Sequence, residues 1–97
     1  MAAAVEKAIR VIVEGRVQGV FFRAWTVDQA KMRGLRGWVR NRHDGAVEAV
    51  FAGPDSEVMD MLSVCKQGPL LAQVKGLDYC DVDIDEIGEG FEQRASV

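Results

Sequence analysis

The chain has 97 residues and a mass of 10.7 kDa, with 48% hydrophobic and 28% charged residues. That balance suits one globular domain over residues 1–97 and excludes a disordered tail, a collagen-like fibre and a coiled coil. The net charge of −3 hides an asymmetry, since residues 1–45 hold nine Lys/Arg against four Asp/Glu and residues 46–97 hold three against eleven. An acidic chain is a poor general nucleic-acid binder, but basic side chains converging in its first half can hold a small anion.

The opening MAAAVEKAIRV has no basic n-region and is interrupted by Glu6-Lys7, so it reads as a poor signal peptide. No apolar run approaches the roughly 20 residues of a membrane span, and the cytoplasm is the expected compartment. Residues 7–14, KAIRVIVE, are β-branched and stop at Gly15, which predicts a strand. GRVQGV at 15–20 is a glycine loop. The run from about Phe22 to Arg33 reads as a helix with Phe22, Thr26 and Ala30 on one face, ended by a left-handed Gly34. RGWVRNR at 36–42 predicts a second strand, His43-Asp44-Gly45 a hairpin turn, and AVEAVFA at 46–52 the returning strand with Val47, Ala49 and Phe51 on one face.

Gly53-Pro54 opens a second helix, with proline suited to its first turn. Val58, Met61, Leu62 and Cys65 give it a one-sided apolar stripe, and Gly68-Pro69 ends it. A fourth strand is expected within 74–84. The residues after Gly90 are either a short edge strand or a frayed end. The order is βαββαβ, an α+β ferredoxin-like sandwich: a four-stranded antiparallel sheet with two helices on one face. Cys65 and Cys80 match no zinc spacing and read either as half-buried thiols of a reducing compartment or as a single disulfide, and His43 is the sole histidine.

Chemistry concentrates between the first strand and first helix. Glycines there let backbone N–H groups turn inward as a concave oxyanion cradle, and the helix N-terminus adds partial positive charge. Arg23 stands at that helix start, where its forked guanidinium matches a phosphate. The plainer reading is a flexible glycine loop beside a surface arginine. The segment is not a Walker loop, because it lacks the GK[ST] ending and a magnesium ligand set. Asn41 is unusual near the end of a strand. It is either a residue that starts the turn or an amide that holds a water, and in a βαββ order it shares a mouth with Arg23.

Two motifs give the chain a family resemblance. An aliphatic residue, G-x-V-Q-G-V, one further residue, an aromatic and Arg run from Val13 to Arg23. Gly37-Trp38-Val39-Arg40-Asn41, Gly45-Ala46-Val47 and Gly53 follow at fixed spacing. Together they resemble the acylphosphatases, with similarity over residues 7–94. The resemblance implies metal-independent hydrolysis of acyl phosphates to carboxylate and inorganic phosphate, with no cofactor and a small acyl phosphate as the only partner of a monomer. It implies that Arg23 binds the phosphoryl group and that Gly15, Arg16, Val17, Gln18, Gly19 and Val20 form the phosphate-binding loop. Asn41 would position the attacking water. The chain departs from the family's pattern at Arg33 and in its polar final segment, Phe91 to Val97.

An acyl phosphate leaves as a carboxylate whose acid lies in the range of roughly 4–5, so no general acid is needed. The work is to gather phosphoryl oxygens and place a water in line. A neutral amide is no strong base, so a phosphoryl oxygen takes the water's proton. His43 falls in a variable slot and reads as an exposed turn residue. Trp25 and Trp38 read as packing residues, and Arg16, Arg40 and Arg42 as solvent-facing. The same element order also builds RNA-recognition domains, but the Arg36-Gly37-Trp38-Val39 run lies on the wrong strand for that and the charge is wrong.

Overall fold

The computed structural model describes residues 5–97; the apolar opening at 1–4 lies outside them. The elements are β1 (Glu6–Arg16), α1 (Phe22–Met32), β2 (Arg36–Asn41), β3 (Val47–Pro54), α2 (Asp55–Cys65), β4 (Gln73–Asp81) and β5 (Phe91–Gln93), with a single 3-10 turn at Ile84–Glu86. They form one sheet in the order β4-β1-β3-β2-β5. The first four strands pair antiparallel, and β5 runs parallel to β2.

The sheet therefore has five strands, not four, and the residues after Gly90 make an edge strand rather than a frayed end. Packing explains it. Phe91 lies opposite Gly37 and stacks on Phe51 at 5.6 Å between ring centroids. Gly37 makes room: with φ at 138°, a Cβ there would stand 1.9 Å from the Val50 carbonyl oxygen and 3.3 Å from the Phe91 ring. Pro54 likewise ends β3 instead of entering the helix, because its backbone stays extended (φ −56°, ψ 136°) and α2 begins at Asp55. β4 stops at Asp81, short of the expected 84, where the chain turns into the 3-10 segment.

Both helices pack on one face. Ile9, Val11 and Val13 of β1 lie opposite Phe51, Ala49 and Val47 of β3. This layer meets Phe22 and Ala30 of α1 and the α2 stripe Val58, Met61, Leu62 and Cys65 in one continuous core. Each large apolar side chain so buried contributes roughly 1.5–3 kcal/mol. The end of α1 is a Schellman motif, in which Gly34 N–H bonds to Lys31 O at 3.1 Å and Leu35 N–H to Ala30 O at 3.0 Å. Burial pushes the Cys65 thiol up to about 12, so it stays protonated and inert, while Cys80 is exposed on β4.

Among the described residues no helix covers the opposite face, yet Glu48 at its centre is only 2% exposed. Arg10 and Arg40 flank it, with Nε atoms 2.5 and 2.7 Å from its two carboxylate oxygens. Arg40 also lies over the Trp38 ring at 4.6 Å, with Arg94 on the same ring at 4.8 Å. Burial pushes the Glu48 carboxyl up, but the hydrogen bonds from Arg40 and Arg10 outweigh it and hold the group below its ordinary 4.5. A lowered folded-state value means that stability is present above pH 4.5 and is lost as pH falls through the folded value. Melting temperature should accordingly drop between pH 5 and pH 3 more steeply in the native chain than in Glu48→Gln. Parallel curves would remove Glu48 from the acid response.

Candidate active site

β1, an inner strand between β4 and β3, launches the loop. Its ladder with β4 slips between Glu14 and Gly15. Gly15 adopts φ 124°, and a Cβ there would meet the Gln73 carbonyl oxygen at 2.2 Å. This bulge bends the strand and sends residues 17–21 across the mouth of the sheet. Val17 and Val20 are buried beneath the loop as anchors. Gln18 fixes its rim: the side-chain Nε2 donates to the Arg42 and Ala46 carbonyl oxygens at 2.8 and 2.9 Å, tying the loop to the β2–β3 hairpin. That hairpin is itself held by an Asp44 carboxylate accepting from Ala46 N–H at 3.0 Å.

The loop leaves a row of donors free. From Val17 to Ala24, no backbone N–H finds an acceptor among the described residues. The first bond of α1, Trp25 N–H to Phe21 O at 3.0 Å, begins just beyond. Phe21 sits at the junction with φ 64°, the single non-glycine residue at positive φ among those described. For an aromatic residue this conformation is strained and marks a place where shape is enforced.

All residues from Val17 to Ala24 except Val20 line a cleft of about 320 Å³ that also collects Asn41 and Gln93. Arg23 is half-buried and pairs with no carboxylate among the described residues. Asn41 ends β2. Its backbone oxygen accepts from Val97 N–H at 3.1 Å, and its side-chain amide has no partner among the described residues. A cation without a counter-ion, a row of unpaired N–H groups and a free amide thus converge on one concavity, and this arrangement binds an oxyanion. Among the described residues no three His, Cys, Asp or Glu side chains come together as a metal-ligand set.

Of the eight residues expected from sequence, five line the cleft: Val17, Gln18, Gly19, Arg23 and Asn41. Gly15 lies outside it, at the bulge, where its part is to let β4 approach. Arg16 is exposed at the end of β1, opposite Gln73. Val20 is a core side chain. His43 is exposed in the turn, with its N–H bonded to Val97 O.

The residue that sequence reading missed is Gln93. Strand parity places it: Gln93 lies opposite Val39, two residues beyond the buried Phe91, as Asn41 lies two beyond Val39. All four share the helix-covered face, so Gln93 emerges at the mouth beside Asn41. Only the parallel pairing of β5 reveals this.

A family model described as Acylphosphatase matches residues 9–93. The chain belongs to the acylphosphatase family. An acylphosphatase of Rhizorhabdus wittichii is 49% identical over 90 residues, covering 93% of this chain and 90% of its own. Acylphosphatase 2 of Ralstonia nicotianae is 50% identical over 93 residues, covering 94% and 98%. The crystal structure of the acylphosphatase from Bacillus subtilis superimposes with a TM-score of 0.86 at 32% identity, over 93% of this chain and 99% of that one. A light-sensing BLUF protein, BlrB, shares the fold alone, with a TM-score of 0.62 at 9% identity. The cleft with Arg23 and Asn41 thus lies in an acylphosphatase domain built on a ferredoxin-like sheet.

Proposed function

We propose that this cleft hydrolyses acyl phosphates to a carboxylate and inorganic phosphate, with Arg23 and the N–H groups of the 17–24 segment holding the phosphoryl oxygens and Asn41 holding the water. The observation that carries this is the unpaired Arg23 guanidinium facing a free Asn41 amide across a row of unpaired N–H groups. The phosphoryl group has three oxygens to satisfy, and a guanidinium fork plus preorganised N–H groups supplies donors to all of them without reorganisation. The Asn41 amide has both a donor and an acceptor, so it can orient a water while leaving a lone pair free for phosphorus.

In the reaction, the water oxygen bonds to phosphorus as the bond from phosphorus to the bridging acyl oxygen breaks. The electron pair of that bond leaves with the carboxylate. The water's displaced proton passes to a phosphoryl oxygen, so that R–CO–O–PO3²⁻ and H2O give R–COO⁻ and H2PO4⁻. Positioning and charge stabilisation carry the step, as in phosphoryl transfer generally. The substrate is a small molecule, and the protein acts as one domain, a reading supported by one continuous core. Both cysteines are free, and no helix among the described residues is long and apolar enough to cross a membrane. These features favour the cytoplasm as its place of action.

Purified protein should release phosphate from acetyl phosphate at an undiminished rate in excess chelator, and alkyl phosphate monoesters should react very slowly or not at all. Hydrolysis in ¹⁸O-labelled water should put the label in phosphate. Label in the carboxylate would mean attack at the acyl carbon and would discard the assignment of Asn41.

A further inference from the structure

The catalytic cleft has a neighbour. A second depression of about 420 Å³ is lined by Phe21, Ala24, Trp25 and Asp28 from the start of α1 and by Leu70 and Leu71 from the loop after α2. Phe21 and Ala24 belong to both concavities. This second depression is almost wholly apolar apart from Asp28.

Its walls are held out by structure. Leu70 is 96% exposed, Phe21 79% and Leu71 61%, an unusual concentration of apolar surface beside an anion site. The loop that bears the two leucines is pinned at both ends. Gly68 packs so closely on Phe22 that a Cβ would stand 2.9 Å from its ring, and Ala72 N–H bonds back to Pro69 O at 3.0 Å. Phe21 is fixed in the left-handed region at the junction of the two concavities. Three apolar side chains are thus presented to solvent by rigid backbone, at a cost in both exposure and strain.

We propose that this groove holds the acyl end of the substrate, and that the preferred substrates are acyl phosphates with an extended apolar acyl group. The inference rests on the hydrolytic reading of the cleft. An acyl phosphate is two-ended. With the phosphoryl group on Arg23 and the loop N–H groups, the acyl substituent has to leave the cleft, and the groove adjoins it at Phe21 and Ala24. From Phe21 to Asp28 the helix rises about 10 Å, the reach of a chain of roughly eight carbons. The Asp28 carboxylate at the far end disfavours a substrate with a second anionic group there.

The test compares kcat/KM for octanoyl phosphate with that for acetyl phosphate, in the native protein and in a Leu70→Ser/Leu71→Ser double variant. Native protein should favour octanoyl phosphate by about tenfold or more, since several methylenes leave water. The double variant should lose about tenfold on octanoyl phosphate, chiefly in KM, and keep its rate on acetyl phosphate, which also certifies its fold. Equal values for both substrates in native protein would overturn the groove assignment alone. Failure to hydrolyse either substrate would overturn the hydrolytic reading and this inference with it. Unchanged octanoyl preference in a double variant that has lost self-association in sedimentation would assign the groove to a second copy of the chain instead.

Discussion

Arg23→Ala is expected to lower kcat/KM for acetyl phosphate by about 100- to 1,000-fold, the usual effect of losing one preorganised charge-stabilising donor. The guanidinium is half-buried at the start of α1 and has no carboxylate partner among the described residues. Its field is therefore undiminished when a phosphoryl group arrives. The same lack of partners means that its removal breaks no ion pair, and thermal stability should stay within about 0.5 kcal/mol of the native protein. Arg23→Lys should fail nearly as badly, because an ammonium is a point charge and does not reproduce the planar fork. Inorganic phosphate should inhibit the native enzyme competitively and lose that effect in both variants. A lysine variant with near-native rates would show that only charge, and not the fork, is required at this position, and the assignment would fall.

For Asn41→Ala the loss should appear in turnover, on the order of 100-fold in kcat, with KM little changed. The amide has no partner among the described residues, while the backbone of Asn41 is held independently through Val97 N–H. Replacing the side chain thus leaves the end of β2 in place and removes only the group proposed to orient water. His43→Ala, measured beside it, should stay within a few-fold of native, since that ring is exposed in the turn. If Asn41→Ala weakens substrate binding and spares kcat, the amide contacts the substrate and water is positioned by another group.

Local pattern was enough to read the βαββαβ order, the α2 stripe and the Gly34 stop, because each is fixed by neighbours within a few residues. Arg23 and Asn41 were legible for the same reason: both stand at fixed offsets from glycines that shape their own loop or strand. What escaped depends on partners far along the chain. β5 is three residues long, two of them polar, and exists because Phe91 fills the space Gly37 leaves beside Phe51. Gln93 reaches the cleft only through that pairing. Gly15 resembled a phosphate ligand in sequence, and its actual constraint is Gln73, on a strand nearly sixty residues later. Alternation in β3 puts Glu48 on the face away from Val47, Ala49 and Phe51, and its burial there depends on long side chains of β1 and β2 that close over it from either side.

The sheet order has a consequence for biogenesis. β1, the first strand to be synthesised, lies between β3 and β4 and is completed on both sides only when residues 73–81 have emerged. At about 5–20 residues per second, roughly 1–5 seconds separate the emergence of β3 from that of β4. During that interval one edge of β1 remains without its ladder, a ready target for a chaperone or for mispairing with another nascent chain. Asn41 and Arg23 are made early, but the wall that holds Gln93 arrives last. A ribosome-bound chain halted before residue 91 lacks the β5 wall and the Gln93 side of its cleft.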